Sequence, residues 1–559
     1  MEGPPCAPRL AEYTLKRFQG GIVIPLLDRR KLLGRAAATL VGSAAVWPAV
    51  PTFAAERSDD DSYDLVVVGG TPGGIATAVT AARLGLRVAL TEYHGHLGGM
   101  SSSGLGKSDI EHRPMIQGIF REFVDRVKRY YVQRYGEGTE AVRLCRDGYF
   151  FEPSVAEAIF DAMVAEQPNI TVLKRHRLEG ATTRDGRLVA VQLVDRDTGR
   201  RRTLRARLFA DATYEGDLYA AAGAAFRAGR EGRDEFGELH AGHIYFDWRN
   251  HQRLGGTGQG DARLPAYTYR LCLATDPRNQ VPVSKPDDYD RRRYLGYLDD
   301  WRSGRFGKSN PTRIALSIAA IPNAKTDVNM NPRGLGFVFV EENAGYVEGT
   351  WQQREAICQR PRNLTLGLLW FLQHDAEVPD EARQLALAHQ LPRDEFTDDG
   401  HFPFQLYVRE ARRLVGAYTL TEANITEQPG LESRRFHDDA IAVGEFPIDS
   451  FPVQKRQPGD DRVLEGYLCM LHKITRPYQI PYRIMIPERL EGLIVPVAAS
   501  TTHVAFSSIR LEPTWMAMGQ AAGVAAHVAL SEGTSLRAVP IQRVQALLRK
   551  QGAVLEPPA

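Results

Sequence analysis

YDLVVVGGTPGGIATAVTAARLGLRVALTEYHGHLGG, residues Tyr63 to Gly99, contains a complete strand, turn, helix and strand. Leu65 to Val68 is an apolar run of strand type that ends in the glycine-rich turn Gly69-Gly70-Thr71-Pro72-Gly73-Gly74. Ile75, Val79 and Ala82 then recur at helical spacing, and a second apolar run ends at Glu92. This order predicts a unit that holds a dinucleotide: Gly69 allows the tight turn, Gly74 lets helix and sheet approach closely, and the first helical N–H groups face a pyrophosphate. Glu92 is placed to accept hydrogen bonds from a ribose diol. The middle glycine of GxGxxG is Thr71 here, which puts a Cβ where backbone comes nearest to phosphate, unless its hydroxyl makes that contact.

A chain of 559 residues buries a large core and predicts two or more domains, one of them inserted in another. The net charge of +2 gives no sign of a nucleic-acid partner. The basic runs Arg200 to Arg202 and Arg291 to Arg293 lack interleaved aromatics and read as solvated loops. Five scattered cysteines form no CxxC pair, so no metal or iron–sulfur framework is expected, and buried free thiols are.

Near the N-terminus, Asp28 to Leu33 reads DRRKLL, followed by a small and apolar run to Val50 and a small-residue cleavage site at Thr52-Phe53-Ala54. This resembles a twin-arginine export signal over residues 1–55, and it departs from the strongest form at Asp28 and Leu32. It predicts an exported protein, periplasmic or extracellular. The apolar run is short for a bilayer, so no stable membrane anchor is expected.

The loop HGHLGGMSSSGLGKSDI follows Glu92 and is expected to continue the cofactor site through Leu97, Gly98, Gly99 and Met100. His94 and His96 read as loop hydrogen bonders, because no third metal ligand accompanies them. Pro114 to Tyr135 and Pro153 to Ala165 carry helical spacing. From Asn169 the pattern changes to short strands that return the chain to the main sheet.

GGTPGG with Glu92, HLGGM and FADATYEGDLYAAAGAAFRAGRE together resemble the two-dinucleotide-binding-domain flavoproteins. Within them they are similar to the bacterial FAD-dependent oxidoreductase family related to the flavoprotein subunit of heterodisulfide reductase. The resemblance implies FAD as cofactor and an α/β fold: a Rossmann-like, glutathione-reductase-type FAD-binding domain with an inserted α+β substrate domain. It also implies that Asp211, Ala212 and Thr213 lie at the cofactor. The iron–sulfur clusters of heterodisulfide reductase relatives are not supported by the cysteine spacing.

Near the C-terminus, an apolar strand at Gly492 to Val497 leads to Pro513 and a small-residue stripe of Gly519, Ala522, Gly523 and Ala526. This stretch resembles the family's C-terminal FAD motif and assigns Arg510, Gly519 and Gln520 to the cofactor. The N-terminus of its helix would stabilise negative charge developing on a flavin pyrimidine ring. The cofactor domain is then expected over 62–225 and 482–552, with a substrate or cap domain over 226–481.

Within that middle segment, Lys325, Asp327 and Asn329 share one face at period two, which suits either a hydroxylated ligand or a polar hairpin edge. Arg409 and Arg413 stand at i and i+4 beside Glu410, for ion-pair bracing or, at Arg409, substrate contact. His503 is the candidate base near flavin N5. Tyr482 and Arg483 are candidates to bind or polarise a substrate oxygen, and Arg510 is an alternative partner for Glu512.

The expectation is an exported FAD-dependent dehydrogenase or oxidase. It would take a hydride from a hydroxyl or amine carbon of a small or carbohydrate-like substrate and pass electrons to an unidentified acceptor. Two alternatives stand beside it: a flavin-containing lyase or isomerase acting on polysaccharide without net redox, and a non-catalytic carbohydrate-binding protein. NAD is the weaker cofactor, since no second GxGxxG fingerprint is present.

Overall fold

Parallel ladders around one central strand set the architecture of the computed structural model, which describes residues 62–557. The paired-arginine segment and the Thr52-Phe53-Ala54 site lie outside the described residues. Strand β1 (Ser62–Val68) pairs in parallel with β2 (Val88–Thr91) on one side and β6 (Arg201–Asp211) on the other. On the far side of β2 lies β3 (Ile170–Leu173), and β5 (Arg187–Asp195) and β4 (His176–Arg184) extend the sheet antiparallel beyond β6. The order is β3-β2-β1-β6-β5-β4, and a late strand, Leu493–Ile494, also pairs with β6. β6 is long enough to use both neighbours: residues 201–205 pair with β5, while Phe209 and Ala210 pair with Leu493 and Ile494.

Alternation along β1 makes this sheet the centre of the molecule. Leu65 and Val67 pack on one side with Ile75 and Val79 of helix α1 (Pro72–Arg83), whereas Val66 and Val68 pack on the other with Ala89, Leu204 and Phe209. Each such buried aliphatic side chain contributes about 1.5–3 kcal/mol relative to exposure. The helices expected near Pro114–Tyr135 and Pro153–Ala165 are present as Ile119–Tyr135 and Pro153–Ala165, both amphipathic onto the same core.

The helix Glu512–Glu532 lies along α1, and its small residues explain how closely. A Cβ on Gly519 would stand 2.1 Å from the Gly73 carbonyl oxygen, and one on Gly523 would stand 2.7 Å from that of Thr77. Gly519 is thus needed by a helix–helix seam. Beside it, the Gln520 Oε1 accepts from the Ile119 amide and its Nε2 donates to Gln551.

The middle of the chain adds a three-stranded antiparallel sheet from Leu271–Ala274, Lys325–Met330 and Leu316–Ile321 in that spatial order, and the long helix Trp351–His374. Residues 403–412 are irregular, and Arg413-Leu414 forms a short strand against Phe226-Arg227. Arg409 and Arg413 are therefore not on a common helix face. The described mixed α/β sheet, parallel around β1, is the expected Rossmann-like class.

Candidate active site

The carboxyl ends of β1, β2 and β6 are in register, with Val68 beside both Thr91 and Asp211, and a crevice opens there. Its cavity of about 380 Å³ is lined by Gly69, Thr71 and Glu92 from the sheet ends, Thr213 and Tyr214 after β6, and Tyr93 and Trp351 from farther out. The volume falls within the range of small-molecule sites.

Backbone geometry fixes the turn. Gly69 has φ +105°, and a Cβ there would stand 2.6 Å from the Ala212 carbonyl. On Gly74 it would meet the Gly69 oxygen at 1.9 Å, and on Gly73 it would meet Val497 at 2.9 Å. The Thr71 hydroxyl donates to the Ala212 carbonyl at 2.8 Å and accepts from the Gly74 amide at 3.2 Å, capping α1. The threonine in place of the middle glycine is thus a helix cap that ties β1 to the end of β6, and its hydroxyl hydrogen is committed there. Ala212 contributes through its backbone alone, donating from its amide to Val68.

Glu92 accepts from the amides of Gly70 at 2.6 Å and His94 at 2.8 Å, and burial pushes its carboxyl up to about 7. An acceptor carboxylate with lone pairs left over, facing a crevice beside a glycine turn and a helix N-terminus, suits the ribose and pyrophosphate of a dinucleotide. Asp211 lies behind the crevice. It accepts from the Thr213 amide and hydroxyl and from the Tyr219 amide, and burial pushes it up to about 7, so it braces the turn that presents Thr213.

The loop after β2 packs against the glycine turn. The Gly98 amide donates to the Gly70 carbonyl, a Cβ on Gly70 would meet Leu97 at 2.6 Å, and one on Gly99 would meet the Tyr214 hydroxyl at 2.3 Å. Tyr214 is the residue that the sequence motifs contained but did not single out. Its hydroxyl accepts from the Met100 amide at 3.0 Å and donates to Glu512 at 2.6 Å, joining the post-β2 loop, the strand end and the C-terminal helix. Burial pushes the Glu512 carboxyl up to about 8. Of the two loop histidines, His96 sits between Glu157 and Asp398, while burial and the Arg196 cation push His94 down to about 3 and keep it neutral. Among the described residues no group of three or more such side chains is arranged to hold a metal ion.

A second buried region carries the candidate base. His503 begins the short helix His503–Ile509 and is 3 % exposed. Its Nδ1 lies 2.7 Å from Glu410 Oε2, and its Nε2 lies 3.5 Å from the Ser450 hydroxyl. A carboxylate only accepts, so in the neutral ring the hydrogen sits on Nδ1 and Nε2 is the basic nitrogen. The other Glu410 oxygen lies 2.9 Å from Arg413 Nε, Arg413 Nη1 donates to Glu231 at 2.7 Å, and Glu231 accepts from the His503 amide at 2.9 Å. The imidazole is thus held by a closed ring of buried groups from three distant parts of the chain.

Other expected site residues are placed differently. The Tyr482 hydroxyl is buried and donates to the Leu536 carbonyl at 2.8 Å, and Arg483 is exposed and paired with Asp439 at 2.9 Å, so neither lines the crevice or contacts His503. Arg510 does not pair with Glu512; it donates to the Tyr407 hydroxyl and the Asp449 carbonyl. The polar row at period two is internal. Lys325 is 2 % exposed and lies within 2.8 Å of Glu152, Asp394 and Glu395. Asp327 receives a two-pronged bond from Arg270 at 2.7 Å to each oxygen, and Asn329 is half-buried. Burial drives these cations and anions to pair with one another, which removes the surface a carbohydrate would need. The four described cysteines, Cys145, Cys272, Cys358 and Cys469, are free thiols.

Over 37 residues the chain is 60% identical to dihydrolipoyl dehydrogenase of Trypanosoma brucei brucei, a match spanning 7% of this chain and 8% of that enzyme. A geranylgeranyl bacteriochlorophyll reductase-like protein of Thermoplasma acidophilum aligns over 88% of this chain and 84% of its own, at 12% identity and a TM-score of 0.35. A glycerol-3-phosphate dehydrogenase of Bacillus halodurans, complexed with FAD, aligns over 34% of this chain and 44% of its own, at 15% identity and a TM-score of 0.21. The family model for FAD dependent oxidoreductases matches residues 64–548, so the chain belongs to that family and is an FAD-dependent oxidoreductase with FAD as its cofactor.

Proposed function

We propose that the protein oxidises a hydroxyl-bearing or amine-bearing carbon of a small molecule and passes the electrons to an external acceptor. The observation that carries this is the buried His503–Glu410 pair, an imidazole whose basic nitrogen is oriented by a carboxylate on the opposite nitrogen. The crevice residues Gly69, Thr71, Glu92 and Thr213 would hold the nucleotide end of FAD, with Glu92 accepting from the ribose hydroxyls. FAD, when bound, accepts the hydride equivalent that leaves the substrate carbon. His503 takes the hydroxyl or ammonium proton at Nε2, and Glu410 stabilises the resulting imidazolium through Nδ1. Burial of both groups keeps bulk water from competing for that proton.

The substrate part of the molecule falls in residues 226–481 on this proposal, since Glu410 and Ser450 both come from there. The proposed substrate is a small molecule and not a polysaccharide, because Lys325 and Asp327 of the polar row are paired internally. We also propose export by the twin-arginine route, supported by Asp28 to Leu33, the apolar run to Val50 and the Thr52-Phe53-Ala54 site. Among the described residues no helix is long and apolar enough to cross a membrane. The test is anaerobic mixing of the FAD-loaded protein with a panel of small alcohols and amines. Bleaching of the visible flavin absorbance is expected with at least one class, and absence of bleaching across both sinks the proposal.

A further inference from the structure

Arg409 is a guanidinium buried without a partner carboxylate. It is 1 % exposed and lies between two rings, 4.1 Å from the centroid of Tyr407 and 3.5 Å from that of Phe451. Nη1 donates to the Ala266 carbonyl at 3.2 Å, while Nε and Nη2 have no partner. Leaving buried charged donors unmet costs a few kcal/mol, so such a group asks for an explanation.

The neighbouring arginines show what is missing. Arg270 uses its own Nε and Nη2 to grip both oxygens of Asp327 at 2.7 Å. Arg510 is satisfied by Tyr407 and Asp449. In Arg409 the two donors that Arg270 closes on a carboxylate, Nε and Nη2, have no hydrogen-bond partner. Burial, with the cations of Arg510 and Arg270 nearby and against the opposing pull of Tyr407 and Asp449, pushes its pKa down to about 9. The planar fork matches a carboxylate oxygen for oxygen.

Its position relates it to the candidate base. Glu410, the next residue, orients His503, and Phe451, which packs on Arg409, follows Ser450, which faces His503 Nε2. The two stretches 409–410 and 449–451 thus carry both features. We infer that Arg409 binds the carboxylate of the substrate, so that the molecule oxidised is a hydroxy- or amino-carboxylate. This rests on the proposed oxidation for the word substrate, but carboxylate binding itself does not require turnover.

The experiment titrates the FAD-loaded protein with acetate and propionate, which carry no oxidisable hydroxyl or amine, against acetamide and propionamide. Flavin absorbance and melting temperature are read together. The carboxylates are expected to perturb the flavin spectrum and raise the melting temperature at concentrations about tenfold below the amides. Arg409→Gln is expected to weaken carboxylate binding about 30-fold with FAD content unchanged, and Arg409→Lys to weaken it less. Equal response to acids and amides in the unsubstituted protein overturns the inference, as does an unchanged carboxylate response in Arg409→Gln. Loss of FAD from a folded Arg409→Gln protein also overturns it, because the anion held would then be the cofactor's own. Should Arg409→Gln not fold, discrimination between acids and amides by the unsubstituted protein and its weakening in Arg409→Lys decide the matter. Carboxylate binding with no bleaching by any alcohol, amine, hydroxy acid or amino acid would defeat the oxidation proposal and leave the carboxylate site standing, whereas bleaching by neutral alcohols with no carboxylate binding would defeat this inference alone.

Discussion

The crevice at the ends of β1 and β2 and the region around His503 are both buried, yet they are made of opposite materials. The crevice is shaped by backbone: glycines with no room for a Cβ, a threonine capping a helix, and a carboxylate held by two amides. The His503 region is shaped by charged side chains that satisfy one another, with Arg409 left over. Substitutions in the first should therefore act on cofactor retention and folding, and those in the second on rate.

The largest effect is expected at His503. His503→Asn should slow anaerobic flavin reduction by about 10²–10⁴-fold with any substrate that bleaches the unsubstituted protein, while FAD stays bound. An unchanged single-turnover rate would remove His503 from the chemistry and blur the contrast between the regions. Next comes Glu92→Ala, which deletes the acceptor proposed for the ribose hydroxyls and should raise the dissociation constant for FAD about 10–100-fold, read by titrating apoprotein. Full flavin occupancy at low FAD would count against that role.

Gly74→Ala should cost about 1–3 kcal/mol of stability, because the added Cβ would stand 1.9 Å from the Gly69 oxygen. Gly95→Ala, in the same region with nothing within 4 Å, is the control and should melt within a degree or two of the unsubstituted protein. Equal melting temperatures for the two would show that the turn is less rigid than its geometry implies.

The smallest effect concerns pH. Burial raises the Glu512 carboxyl from its ordinary 4.5 to about 8, so the folded apoprotein holds a proton that the unfolded chain has lost. That contribution is complete below pH 4.5 and declines as pH rises through 8, by about 1 kcal/mol per pH unit at most. Glu512→Gln should flatten this part of the apoprotein's stability profile, and an identical slope in both proteins would show that the carboxyl ionises freely.

The same contrast governs what the sequence disclosed. β1, α1, β2 and the strands from Asn169 onward were legible because periodicity and glycine spacing are local properties of the chain. The packing of Glu92 and of the loop from Leu97 to Met100 against the glycine turn is local in the same way. The ring around His503 was not legible, since Glu231, Glu410 and Arg413 acquire meaning only when segments about a hundred to several hundred residues apart meet. Lys325, Asp327 and Asn329 misled because a polar row at period two looks alike whether it faces a sugar or an internal cluster of opposite charges. Gly519 reads differently: a small residue permits close approach, and here the neighbour is the backbone of α1.

β6 leaves the sheet at Asp211, and its last neighbour arrives only at Leu493. A ribosome therefore makes the first six strands long before the seventh, and the helix that lies against α1 comes later still. The glycine turn and Glu92 exist early in synthesis, but Tyr214 has no Glu512 to bond and α1 has no seam until the C-terminal segment emerges. The tie behind the crevice and the seam along α1 are thus events of late synthesis, and a nascent protein halted before residue 493 would have neither the complete sheet nor the Tyr214–Glu512 bond.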